Sequence, residues 1–127
     1  MKRLLVLVLL AVACNRHETA QSVEKAAPAA TEAAGNASRG RELITQYGCN
    51  VCHAVPGVEG PQGSLGPSLA GIASRPTISL AAAPNNAANL AAFIQNPASL
   101  NPQSSMPPIA ITPPDLQDVV AYLQTLK

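Results

Sequence analysis

Hydrophobic and polar positions divide the chain into three stretches. Met1-Lys2-Arg3 precedes an unbroken apolar run from Leu4 to Val12. From Asn15 to Ala37 the residues are polar or small, and Val23 is the only bulky apolar side chain. Beyond Ser38 apolar residues return with helical spacing. Leu43, Ile44 and Tyr47 stand at i, i+1 and i+4, which predicts a helix with Ser38 placed to cap its start. A second short helix is expected from about Ala87 to Gln95, stopped by Pro97. The strongest pattern comes last, with Leu116, Val119, Val120, Leu123 and Leu126 on one face. Its start is marked by Thr112 as N-cap, Pro113 at the first helical position and Asp115 at the third. No segment keeps the two-residue alternation of a strand. The pattern predicts a small all-α unit with many loops.

The first two stretches read as address and tether. Nine apolar residues are too few to span a bilayer as a helix, which takes about 20. After a basic start they suit the core of an export signal. That run leads into Leu10-Ala11-Val12-Ala13-Cys14, whose small residues at 11 and 13 suit a signal peptidase. Cys14 directly afterwards resembles a bacterial lipobox, which implies cleavage before it and lipid attached to it. The expected organisation is a signal peptide at 1–13, a lipidated Cys14 with a flexible Ala-rich tether at 14–37, and a folded domain at 38–127. The expected location is the periplasmic side of a membrane, held through the lipid. The Ala-rich segment cannot bury a face, and His17 within it reads as solvated.

Composition narrows the picture. The hydrophobic fraction of 47% includes 23 Ala, and Tyr47, Phe93 and Tyr122 are the only aromatic residues. A small domain with so little bulk buries too little apolar surface by itself. Something other than side chains must supply core. The formal net charge of +1, without a basic run, gives no electrostatic case for nucleic acid. Three Cys is an odd number, so a simple disulfide framework is not the first reading.

Cys49-Asn50-Val51-Cys52-His53 supplies the chemistry. C-x-x-C-H is the attachment signature of c-type haem. Helical spacing puts both thiols on one face, where they can add to the two vinyl groups of a porphyrin, and the adjacent imidazole can turn onto the iron. Other readings are weaker. A thioredoxin-like motif needs a βαβ pattern, and none is visible. A zinc site needs further ligands, and His17 in the tether is the only other His. A disulfide between Cys49 and Cys52 leaves His53 unexplained. Export to an oxidising compartment agrees with haem attachment. Apart from Met1, Met106 is the only Met, 53 residues beyond His53 and directly before Pro107. Pro107 disfavours helix at Met106, and Pro102, Pro107 and Pro108 stiffen its loop. Met106 is thus the candidate second iron ligand, against a reading as core filler.

At this point the residues resemble a family, the class I monohaem bacterial cytochromes c with His/Met ligation. The resemblance runs from Ser38 to Lys127. Its pieces are the segment Gly40–Gly48, the haem motif, Leu65-Gly66-Pro67-Ser68-Leu69, Ile72–Arg75, Asn89–Pro97, Met106-Pro107 and the last helix with Tyr122-Leu123. The run from Asn89 is most similar to the cytochrome domain of haem–copper oxidase second subunits. The resemblance implies about three to four helices wrapped around one covalent haem c, held by Cys49 and Cys52 with His53 and Met106 on the iron. It further implies that the Pro67 carbonyl accepts from the proximal imidazole, that Arg75 pairs with a haem propionate, and that the first and last helices cross at Gly40. The expected function is one-electron transfer, without catalysis of its own, between a respiratory donor and an acceptor. Expected partners are redox proteins such as a haem–copper oxidase or a dehydrogenase. Two alternatives stay open, a fixed subunit of a larger oxidoreductase and a haem sensor or weak peroxidase.

Overall fold

The computed structural model describes residues 34–79 and 83–127. The expected signal peptide, Cys14 and most of the expected tether lie outside the described residues. The described chain forms α1 (Ala37–Gln46), α2 (Cys49–Cys52), β1 (Thr77–Ile78), β2 (Ala83–Pro84), α3 (Ala87–Gln95) and α4 (Pro113–Leu123). Single 3-10 turns occupy Ile72–Ser74 and Pro97–Ser99. The fold is mostly helical, as the hydrophobic pattern predicts.

The start of α1 departs from expectation. Asn36, not Ser38, caps the helix, its side chain accepting from the Arg39 N–H at 3.1 Å. Asn is as good a cap as Ser, and it stands one residue before the first helical position, leaving Ser38 inside the first turn. Gly35 and Asn36, assigned from sequence to the tether, already lie against α4. The Asn36 N–H donates to Asp118 Oδ1 at 2.6 Å, and a Cβ on Gly35 would fall 2.2 Å from the Gln117 carbonyl oxygen.

α1 packs on α4, and Gly40 makes this approach possible. A Cβ there would sit 1.9 Å from the Asp118 carbonyl oxygen, so any side chain would force the helices apart. Leu43 and Ile44 bury from α1, while Leu116, Val119, Val120 and Leu123 bury from α4 as its periodicity predicts. Thr112 accepts from the Asp115 N–H at 3.4 Å, and Pro113 opens the helix. Asp115 does more than complete a cap. Its carboxylate is buried where Tyr47 donates to it at 2.6 Å and Arg39 bridges it to Asp118. The Tyr47 bond, with those from Thr112 and Arg39, holds Asp115 below the usual carboxylate range. The Asn36 N–H and Arg39 do the same for Asp118.

β1 and β2 pair antiparallel, Thr77 with Pro84 and Ile78 with Ala83. Two residues per strand leave no alternation to read, so sequence periodicity could not reveal this ribbon. Ile78, Leu90, Ile94 and Ile111 extend the core away from the α1–α4 crossing.

Candidate haem site

The attachment motif begins at a reversal made by Gly48, whose φ of +71° is a left-handed conformation that glycine adopts without steric cost. α2 is then a single turn, and residues three apart on a helix share a face. Cys49 and Cys52 stand partly buried with free thiols. Burial pushes the Cys49 thiol up from its ordinary range.

His53 leaves the turn in an extended conformation, φ −113° and ψ 143°. Its Nδ1 lies 2.7 Å from the Pro67 carbonyl oxygen. A carbonyl only accepts, so the hydrogen bond assigns the proton to Nδ1 and leaves the Nε2 lone pair for a metal. The loop carrying Pro67 is laced to α2: Gly63 donates to the Asn50 carbonyl at 2.9 Å, Gly66 to Cys52 at 2.8 Å, and Leu69 to Ala54 at 2.8 Å. The loop touches the imidazole directly. A Cβ on Gly66 would stand 2.3 Å from His53 Cε1, and one on Gly63 would stand 2.0 Å from the Val51 carbonyl oxygen. Arg75 holds the far side of this loop, its Nη2 donating to the carbonyls of Ser68 at 2.5 Å and Ala70 at 2.9 Å.

Met106 is partly buried, in the loop between the Pro97–Ser99 turn and α4. Its N–H donates to Ser104 Oγ at 3.3 Å. Among the described residues no group of three or more His, Cys, Asp or Glu is assembled as a metal cluster, so the zinc reading gains nothing. The donor set fits a covalent haem instead: two unpaired thiols on one turn and an adjacent imidazole with its second nitrogen available.

Comparison with known proteins agrees. The family described as Cytochrome c matches residues 37–127. The chain belongs to the cytochrome c family. A curated relative, cytochrome c oxidase subunit 2 of Alkalihalophilus pseudofirmus, is 33% identical over 92 residues, covering 72% of this cytochrome. The match spans 26% of that relative's length. Among solved structures, ferric cytochrome c-550 of Paracoccus versutus aligns with a TM-score of 0.55 at 20% identity. It covers 72% of this chain and 98% of that one. Cytochrome c2 of Paracoccus denitrificans gives 0.52 at 19%, covering 72% and 95%. These neighbours share the class I cytochrome fold.

The cofactor of this cytochrome is therefore haem c, covalent through Cys49 and Cys52, and its family activity is electron transfer. Sequence reasoning missed the stapling of the loop. The Gly66-Pro67 pair signals a turn, but that Gly66 sits against an imidazole depends on a contact across 13 residues. The buried Asn50, whose Nδ2 donates to the Glu59 carbonyl at 3.3 Å, and Gln62, which accepts from Val55 and donates to Val58, carried no motif.

Proposed function

We propose that this cytochrome is a one-electron carrier in which His53 and Met106 would hold the haem iron, lipid-anchored through Cys14 on the periplasmic side of a membrane. It serves a respiratory donor and an acceptor such as a terminal oxidase or reductase. The observation that carries this reading is the 2.7 Å contact from His53 Nδ1 to Pro67, which orients the imidazole and leaves Nε2 free to act as a ligand. When bound, the haem supplies a reversible one-electron iron couple. The chain's part is to keep the ligand set unchanged through that couple. Pro67 and Gly66 fix the His53 ring, and Pro107 and Pro108 stiffen the Met106 loop. Two protein ligands would leave no open position, and a thioether would favour ferrous iron and raise the potential. The resemblance implies Arg75 as a propionate partner, and its Nη2 also supports the Pro67 loop.

Partner choice follows from charge. Residues 60–74 and 76–114 contain no Asp, Glu, Lys or Arg, so Arg75 is the one charged side chain that residues 60–114 offer a partner. Association is expected to weaken less than about threefold between low and moderate salt, since no ring of charge steers it. Stopped-flow electron transfer against ionic strength measures this, and a steep fall in rate would contradict it.

A reduced-minus-oxidised absorbance spectrum tests the ligation. Low-spin bands in both states, with no carbon monoxide binding at neutral pH, are expected. Carbon monoxide binding to the reduced native protein would overturn the closed-carrier reading. The likeness to part of an oxidase subunit 2 favours a second reading, a fixed electron-entry subunit. A stoichiometric complex retained in gentle detergent would select it.

A further inference from the structure

Ser79 is the only residue other than glycine with positive φ among the described residues, at +56°. An L-residue in this conformation is strained, and Gly would relieve it. Ser in place of Gly contributes a hydroxyl, and that hydroxyl is used. Asn101 Nδ2 donates to Ser79 Oγ at 2.8 Å. Asn101 is the corner of the Met106 loop. Its N–H donates to the Pro97 carbonyl at 2.9 Å, its carbonyl accepts from the Ser104 N–H at 2.9 Å, and its Oδ1 accepts from the Gln103 N–H at 3.1 Å. Ser104 Oγ in turn accepts from Met106 itself at 3.3 Å. The loop's far end is tied separately, Ile109 donating to the Ile94 carbonyl at 3.3 Å. Between those ends, apart from the bonds to the adjacent Pro97 carbonyl, the Ser79–Asn101 bond is the only hydrogen bond among the described residues that joins residues 100–108 to another part of the fold.

We propose that Ser79 and Asn101 form a clasp between the β1–β2 ribbon and the Met106 loop, with Asn101 a positioning residue for the sixth iron ligand. The inference rests on the reading of Met106 as that ligand. An external ligand such as imidazole can reach ferric iron only in the fraction of molecules whose Met106 has left, so its apparent affinity reports how firmly the loop is held. Three of Asn101's four hydrogen bonds shape the loop, and the fourth closes it onto the ribbon. Loss of that bond leaves the covalent attachment and His53 untouched.

The test is an imidazole titration of ferric holoprotein, read from the red thioether band, in Ser79→Gly, Ser79→Ala, Asn101→Ala and the double variant Ser79→Gly/Asn101→Ala. Ser79→Gly removes the hydroxyl and relaxes the backbone, whereas Ser79→Ala removes the hydroxyl alone. Both are expected to bind imidazole about three- to tenfold more tightly than wild type, the effect of one net hydrogen bond. Asn101→Ala should do at least as much, and the double variant should show less than the product of the single effects. Amide exchange at Gln103, Ser104 and Met106 should accelerate in each variant, while Ile109 is unchanged. Wild-type imidazole affinity and loop exchange in both Ser79 variants would overturn the clasp, and because Gly relieves strain, misfolding cannot account for that result. Met106→Ala tests the underlying reading separately. An unchanged red band there would remove Met106 as the ligand, whatever the Ser79 variants do.

Discussion

As the proposed second iron ligand, Met106 would set the potential of the carrier through one sulfur atom. Replacing it with Ala should leave haem attached, because both thioethers form 50 or more residues away. The red ferric band should vanish, the reduced protein should bind carbon monoxide, and the potential should drop substantially, since axial ligands set haem potentials across about 0.8 V. Potentiometry and carbon monoxide difference spectra check these outcomes. At this scale the sequence was legible wherever chemistry depends on local spacing. Cys49, Cys52 and His53 announce themselves within five residues. Pro67 was legible only through family resemblance, because the meeting of its carbonyl with His53 Nδ1 is a fact of folding. Asn101 and Ser79 gave no signal at all: polar residues in loops are ordinary, and their partnership spans 22 positions.

Among the elements, α1 and α4 are joined by apolar packing and by one polar cluster, Arg39, Tyr47, Asp115 and Asp118. Both carboxylates sit below their ordinary value near 3.8, Asp115 chiefly through Tyr47 and Asp118 chiefly through the Asn36 N–H. A carboxyl with a depressed folded value stabilises the fold fully above the unfolded value, and that contribution disappears as pH falls through the folded one. The melting temperature should thus be flat from neutral pH to about 5 and fall below about 4. Asp115→Asn with Asp118→Asn should be less stable at neutral pH and show a shallower acid slope. Equal slopes in the two proteins would show that the cluster is not responsible. α4 was legible because five apolar positions, a Thr cap and a Pro start agree. The cluster was not, because an acidic third position is fully explained by capping, and nothing local shows that Tyr47 and Arg39 arrive across more than 60 residues. The β1–β2 ribbon was invisible for a different reason: two residues per strand show no period.

For the whole molecule, the scarcity of aromatic bulk becomes a statement about folding. Cys49→Ala with Cys52→Ala removes the covalent haem, and little folded protein is expected, since the macrocycle supplies core that these side chains cannot. Circular dichroism melts check this, and cooperative near-native unfolding of the haem-free variant would contradict it. Cys14→Ser should release the protein from membranes with its haem spectrum unaltered, because the proposed anchor and the haem domain are separate units. Membrane fractionation after correct processing reads the outcome, and sedimentation with membranes would disprove the anchor.

The seating of Gly35 and Asn36 on α4 has a mechanical consequence. Any pull arriving from the N-terminal side meets the fold there, where the Asn36 N–H is bonded to Asp118 and the backbone is wedged against Gln117. Tension therefore passes into the last helix, 13 residues before Cys49, and bypasses the loops that hold His53 and Met106. Moored through the proposed Cys14 anchor, such a carrier would swing, stretch or be dragged by a moving membrane while the proposed iron ligands stay unloaded.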